Sequence, residues 1–203
     1  MTTVAERRTP ADKHEERRRA LGESALRTLG ELGYARASLR EIANNSEFSH
    51  GVVHYYFHDK LELIVYCVRQ YKAVCVHRFD GVIADSTSAA ELVEGFADKL
   101  VETIREEAPM HRLWYDLRAQ SLFEESLRDA VLGIDKTLEE MIWRVVTTYG
   151  ELSGRPPAMS SNLAYGLLDG IFQQGLLGHL GGRREALSQM RAQVHEIMPL
   201  LLG

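Results

Sequence analysis

The chain has 203 residues, 45% of them hydrophobic and 26% charged, and a formal net charge of −5. That length allows one generous domain or a small one joined to a larger one. No apolar run approaches the roughly 18 residues of a membrane span, and the net negative charge argues against indiscriminate coating of nucleic acid.

The charge is uneven. Residues 1–60 hold ten Lys/Arg against nine Asp/Glu, and the remainder fourteen against twenty. The acid lies in the larger C-terminal part, which leaves the N-terminal part free to approach an anionic partner. The start, "MTTVAERRTPADKHEERRR", is charged and has no apolar core, so a cytoplasmic protein is expected. Cys67 and Cys75, if on one helix, lie about 12 Å apart along its axis, too far for a disulfide.

Helical periodicity runs through the chain, and no alternating segment reads as a strand. "TPAD" opens a helix over about 10–32, with Thr9 as cap and Pro10 in its first turn. Leu21, Ala25, Leu29 and Leu32 form its stripe, and Gly33 ends it. Ser38-Leu-Arg-Glu41 is a capping box before a short helix that buries Leu39, Ile42 and Ala43. A turn follows at Ser46-Glu47-Phe48. Ser49 caps a second short helix, whose Val52, Val53 and Tyr56 point inward. Asp59-Lys-Leu-Glu62 has the form of a third capping box. It opens a long helix with core residues Leu63, Tyr66, Cys67 and Val74, running to about Ile83.

Beyond the loop "ADSTSA", helices are expected over about 89–107, 110–122 (after a break at Pro109), 124–152, 158–179 and 184–198, with "SGRPP" at 153–157 as a boundary. The fold class is therefore all-α, with about nine helices. The expected division is a smaller N-terminal domain over 1–58 and a larger C-terminal domain over 59–203.

Two short helices joined by a tight turn after a supporting helix form the layout of a helix-turn-helix DNA reader. His50, His54 and His58 follow at intervals of four, a spacing that stacks side chains on one helix face. His58 falls past the end of the short helix, so the three do not converge as metal ligands must. His50 and His54 read instead as groove-facing surface. Lys60 opposes the macrodipole in the first turn of its helix, a placement that suits a phosphate nearby.

"SLREIANNSEFSHGVVHYYFHDKLEL" resembles the DNA-binding domain of TetR-family transcriptional regulators, which often read T-x-x-x-I-A-x-x-A-G-V-S-x-G-x-L-Y-x-Y-F-x-S-K-x-x-L. Ser38, Ile42-Ala43, Ser49, Gly51, Tyr56-Phe57 and Lys60 match that pattern. The close likeness spans about residues 15–65. Ser46 stands in place of alanine, Glu47 in place of a glycine that a turn favours, and His54 in place of a tyrosine. The resemblance implies that Ser38, Tyr56 and Lys60 touch phosphate. Ser49, His50, Gly51, His54 and Tyr55 are the expected groove surface, with Arg40 adding a backbone contact. It also implies a homodimer on a palindromic, double-stranded operator, released by a small-molecule inducer. The rival reading is a regulator of the same fold without an inducer, acting as an activator or under a protein partner.

Dimerisation has independent support in "NLAYGLLDGIFQQGLLGHL", which is apolar on two faces and must be covered twice. Leu163, Gly166, Leu167, Gly170, Ile171 and Leu177, with Met190, Val194 and Ile197 from the last helix, form the expected interface. Gly166, Gly170 and Gly178 are expected to allow close helix approach. Aromatic walls with a few polar groups suit a pocket. The expected lining is His111, Trp114, Tyr115, Arg118, Phe123, Trp143, Tyr149, Tyr165, Asp169, Phe172 and Gln173. "LLDGIFQQGLL" is similar to the subgroup that includes choline-responsive repressors. Trp143 and Asp169 would suit a cation and Arg118 an acid, and the choice stays open. No nucleophile–base pair, Glu-x-x-His bundle motif or phosphate loop appears, so no enzyme, cofactor or metal is expected.

Overall fold

The structure is a computed structural model that describes residues 10–203, with side chains from Asp12 onward; Thr9, the expected cap of the first helix, lies outside the described residues. Helices run in the order α1 (Pro10–Leu32), α2 (Leu39–Asn44), α3 (His50–Tyr56), α4 (Lys60–Cys75), α5 (Asp80–Asp85), α6 (Ala89–Ser121), α7 (Glu125–Ser153), α8 (Ser161–Leu180) and α9 (Ala186–Ile197). A 3-10 turn at Met198–Leu201 follows. Among the described residues the architecture is all-α, and no helix is long and apolar enough to cross a membrane. The chain forms two compact units, Met1–Gln70 and Tyr71–Gly203.

In the first unit, Leu21, Ala25 and Leu29 of α1 are fully buried with Ile42, Val53, Phe57 and Leu63. Gly33 closes α1 with φ 77°, donating its N–H to the Leu29 carbonyl at 2.8 Å. The Ser38 capping box forms in full: the Ser38 hydroxyl oxygen accepts from the Glu41 N–H at 3.2 Å, and the Glu41 carboxylate accepts from the Ser38 N–H at 2.9 Å. The third box closes one residue early. Asp59 accepts from the Glu62 N–H at 2.8 Å, but Glu62 accepts from the His58 N–H, also at 2.8 Å. The same Glu62 carboxylate takes the Arg18 guanidinium at 2.6 Å, tying α1 to the start of α4. Arg18 also lies over the rings of Phe57 and Tyr66, at 4.8 and 4.6 Å.

The turn between α2 and α3 needs no glycine. Among the described residues no non-glycine has a positive φ, so the strain expected at Glu47 is absent. Ser46 supplies the order instead. Its hydroxyl donates to the Ala43 carbonyl at 3.0 Å and accepts from the Phe48 N–H at 3.1 Å.

The second unit departs from the expected helix boundaries twice. The helix expected to reach Ile83 ends at Cys75, where the chain tightens into bonds from His77 to the Val74 carbonyl and from Arg78 to the Cys75 carbonyl. The turn buries Phe79 edge-on to Phe96, ring centroids 4.8 Å apart, and leaves Val74 73% exposed rather than in the core. Conversely, the helices expected on either side of Pro109 are one helix, α6, kinked at Glu107 (φ −128°, ψ 22°). Pro109 lacks the N–H that would bond one turn back, and the bend falls in the preceding turn. The two errors cancel in the count of nine. α6 packs on α7 and α9, and α8 packs on α7 and α9, around the aliphatic stripe Leu127, Val131, Ile134, Leu138, Ile142 and Val145 of α7.

Glycines on α8 divide by face. A Cβ on Gly178 would lie 2.7 Å from the Cβ of Ala186, and one on Gly175 would lie 2.6 Å from the Met190 sulfur. These two let α9 approach α8 within the protomer. Gly166 and Gly170 meet nothing within 4 Å. Met190 and Val194, expected at a dimer interface, are buried inside the protomer, because the close α8–α9 approach turns them inward.

Candidate functional sites: the helix-turn-helix surface and a cavity

In the first unit, α3 is held by its caps. The Ser49 side chain accepts from the Val52 N–H at 3.4 Å, and Phe57, fully buried, is the C-cap. Only Val53 of α3 is fully buried, so the rest of this seven-residue helix shows most of its circumference to solvent. His50 and His54 are both exposed one turn apart, their rings edge-to-face at 4.5 Å. His58 lies beyond the C-cap with a 91% exposed side chain, near Asp59 at 3.8 Å. Tyr55 is 74% exposed.

Tyr56 is half-buried, and its ring lies 4.7 Å from that of His14, which also approaches Tyr55 at 6.0 Å. His14 was not picked out from sequence, because it sits 42 positions away on α1 and only the fold brings it there. Lys60 is the first residue of α4, and its ammonium lies 4.4 Å from the centre of the Tyr34 ring. Ser38 caps α2 and Arg40 stands exposed on it. Gly51 is exposed, and a Cβ there would meet nothing within 4 Å. A glycine costs up to about 1 kcal/mol relative to alanine in a helix interior, and less at Gly51, the second residue of α3. Nothing inside the unit offsets that cost, whereas an external surface pressed against the helix backbone would.

The second unit contains a small cavity of about 70 Å³ that opens to solvent. Six of the eleven sequence-expected residues line it: His111, Trp114, Tyr115, Tyr165, Asp169 and Phe172. Arg118 stands behind the wall, donating to Asp169 at 2.6 Å and pairing with Asp135 at 3.3 Å. Tyr115 donates to Asp169 at 2.8 Å and Tyr165 to Asp135 at 2.6 Å. The other four do not line the cavity. Phe123 is 84% exposed in the turn after α6, Gln173 is exposed on α8, Trp143 is half-buried on α7, and Tyr149 is buried in the core.

The structure adds Lys72, Cys75, Arg78 and Phe79 from α4 and the turn after it, and an aliphatic wall from α6 and α7. Lys72 is 3% exposed. Burial pushes its ammonium down to about 8. It lies 5.2 Å from the Trp114 ring centre and 5.5 Å from that of Tyr71, and among the described residues it makes no hydrogen bond. His111 is 6% exposed, and burial, with Lys72 and Arg78 nearby, drives its pKa down to about 2, so the ring is neutral. Its Nε2 and the Nε1 of Trp114 are buried without a hydrogen-bond partner. Arg78 is paired with Glu107 at 2.5 Å, and Tyr71 donates to the same carboxylate. Burial opposes ionisation of Glu107, but those two bonds hold it below the usual carboxylate range. One sequence signal marks this site: Lys72 sits in the core register of α4, four residues after Val68 and three before Cys75.

Among the described residues no group of three or more His, Cys, Asp or Glu is placed to hold a metal ion.

Residues 22–67 match the family described as bacterial regulatory proteins, tetR family. No curated protein sequence matches the chain. Several solved structures share its fold. A TetR transcription regulator from Haloarcula marismortui is 20% identical, with TM-score 0.71 over 93% of this chain and 100% of its own. A putative transcriptional regulator from Saccharomonospora viridis, in complex with choline, is 19% identical, with TM-score 0.73 over 93% and 98%. The transcriptional regulator FadR from Bacillus subtilis, in complex with stearoyl-CoA, is 15% identical, with TM-score 0.72 over 89% and 96%. The capped α2–α3 pair lies within the matched stretch, so residues 22–67 carry the helix-turn-helix of the tetR family's DNA-binding domain, and the chain as a whole shares the all-α fold of these regulators.

Proposed function

We propose that the protein is a cytoplasmic homodimeric repressor that binds a palindromic operator and is released by a small molecule taken up in the cavity. The functional division falls at residues 1–58 and 59–203. Ser38, Tyr56 and Lys60 hold phosphates, with Arg40 beside them. Ser49, His50, His54 and Tyr55 line the major groove, and Gly51 lets the helix backbone come close. The observation that carries the DNA reading is the exposed face of α3, where Gly51 has no internal neighbour and His50, His54 and Tyr55 point outward. Lys60 and the cavity residue Lys72 lie on the same helix, α4. A ligand that favours one position of α4 therefore shifts the population of DNA-competent dimers, by no more than its differential affinity for the two states.

The cavity favours an inducer over the rival reading, since side chains do not fill it and it holds unpartnered polar groups. Relatives of this fold with choline and with stearoyl-CoA bound lend support. The dimer surface is the exposed α8 stripe of Leu163, Gly166, Leu167 and Leu177, flanked by Gly170, Ile171 and Ile197. Leu163→Arg combined with Leu177→Arg is expected to give a monomer by light scattering and to weaken operator binding by at least a hundredfold. Selection from a random DNA pool tests the whole reading. A palindrome with half-sites about one helical turn apart is expected, and failure to enrich any palindrome would sink it.

A further inference from the structure

The cavity contains three buried donor-bearing groups whose bonding capacity the protein leaves unused. Lys72, His111 and Trp114 are each more than nine-tenths buried. Nε2 of His111 and Nε1 of Trp114 have no partner, and Lys72 has no hydrogen bond among the described residues. Buried polar groups are ordinarily satisfied, because a lost hydrogen bond in a low-dielectric interior is costly. Two unpartnered buried nitrogens beside a buried ammonium therefore mark a place where something else supplies the acceptors.

The charges decide what that is. Arg78 is spent on Glu107, and Asp169 is spent on Arg118 and Tyr115. Lys72 is left as the cation without a carboxylate in direct contact. A cationic ligand would face this ammonium at close range and compete with Arg118 for Asp169. An anionic one would complete the Lys72 pair and accept from Trp114. Away from this end the wall is aliphatic and aromatic, from Phe96, Leu100, Leu138, Met141, Ile142 and Leu168, and offers no charged group. The occupant thus has one charged end and an apolar body.

We propose that the cavity binds a monocarboxylate with an apolar body, its carboxylate held by the Lys72 ammonium and the Trp114 N–H, with His111 beside it. This rests on the proposed role of the cavity as the inducer site and names the chemical class of inducer. Lys72 is a binding residue here, buried and without a carboxylate in direct contact.

The test uses the full-length protein and three matched series: straight-chain carboxylates from butanoate to dodecanoate with phenylacetate, their primary amides, and alkyltrimethylammonium ions including choline. Thermal shift and titration calorimetry at pH 7 are expected to find at least one carboxylate that binds. Its amide should bind at least tenfold more weakly, and the ammonium ions not at all. Lys72→Met should lose at least tenfold in affinity for the acid while leaving affinity for the amide unchanged. Wild-type affinity for the acid should also fall as pH rises through about 8, where Lys72 loses its proton. The groups facing Lys72 are Tyr71, Cys75, Arg78, Glu107, His111 and Asp169. The same decline in a Cys75→Ala background assigns it to Lys72 and not to the neighbouring thiol, and this readout stands even if Lys72→Met folds poorly. An amide or ammonium ion that binds as well as the best acid overturns the anion assignment and leaves the cavity a ligand site. An acid whose affinity is unchanged in Lys72→Met, or flat across pH 8, overturns it too. Silence across all three series overturns both the assignment and the inducer reading, while DNA selection judges the helix-turn-helix surface separately.

Discussion

The face of α3 and the cavity of the second unit are incomplete in opposite ways. On α3 the polar groups point outward into water, and the oddity is a missing side chain at Gly51. In the cavity the polar groups are buried, and the oddity is the missing hydrogen-bond partners of His111 Nε2 and Trp114 Nε1 beside the buried Lys72. Water satisfies the exposed site when no partner is present, so its cost to the folded state is one helix glycine. The buried site is far less accessible to water, and the fold bears the cost of a desolvated charge. An exposed polar surface can therefore stay cheap to maintain, while a buried charge carries a stability cost.

Removing the buried charge should break that contrast most strongly. Lys72→Met is expected to stabilise the ligand-free protein at pH 7 by up to about 3 kcal/mol, since each pH unit of displacement is worth about 1.4 kcal/mol. The pH dependence gives the sign. A lysine whose folded pKa of about 8 lies below its ordinary value opposes folding at any pH below about 8. Between about 8 and 10.4 the unfolded chain holds more protons than the folded one, so wild-type stability rises relative to the variant. Urea unfolding of both proteins from pH 6 to 10 should show the gap closing over that window. A gap constant across it would mean the ammonium is already solvated or paired.

The two glycine faces of α8 offer a sharper comparison inside one helix. Gly178→Ala would push a methyl group to 2.7 Å from Cβ of Ala186, an atom too close to the backbone to move aside. Overpacking of this kind costs about 1–3 kcal/mol, more than the roughly 1 kcal/mol alanine returns in helix propensity. Gly166→Ala meets open space, so it should stabilise the isolated protomer by up to about 1 kcal/mol. If α8 is the dimer surface, Gly166→Ala should still weaken dimerisation, and sedimentation across a dilution series would separate the two effects. A variant that gains stability without any change in dimer affinity would remove Gly166 from the interface.

What the sequence revealed follows the same line between local and distant causes. Caps at Ser38 and Ser49, the stop at Gly33 and the stripe of α7 depend on neighbours within a turn or two, and they were legible as spacing. The end of α4 at Cys75 was not, because Phe79 leaves the helix to meet Phe96 on another element. The aromatic residues of the cavity could be guessed from composition, but with Phe123, Trp143, Tyr149 and Gln173 wrongly among them. Which side of a helix faces a cavity depends on partners far along the chain. Lys72 was passed over although it breaks the apolar register of α4, since a single lysine there also reads as a side chain that reaches water. Met190 and Val194 were assigned to the outside for a similar reason. The pattern of an apolar face does not say whether its cover comes from the same chain or from a second copy.

Gly51→Ala carries the smallest stability effect and bears most directly on α3. With nothing within 4 Å of the added methyl group, the substitution should leave the fold intact and stabilise it by up to about 0.5 kcal/mol, since Gly51 lies in the first turn, where the mid-helix gain of alanine is only partly realised. If α3 presses its backbone against DNA there, the same methyl group should weaken operator binding. Thermal unfolding and a binding titration on the same variant read the two consequences. Opposite signs would place the reason for Gly51 outside the protein. A variant that is more stable and binds as well as the wild type would instead put the contact elsewhere on the helix, with His50, His54 and Tyr55 reaching the groove from a backbone that stands away from it.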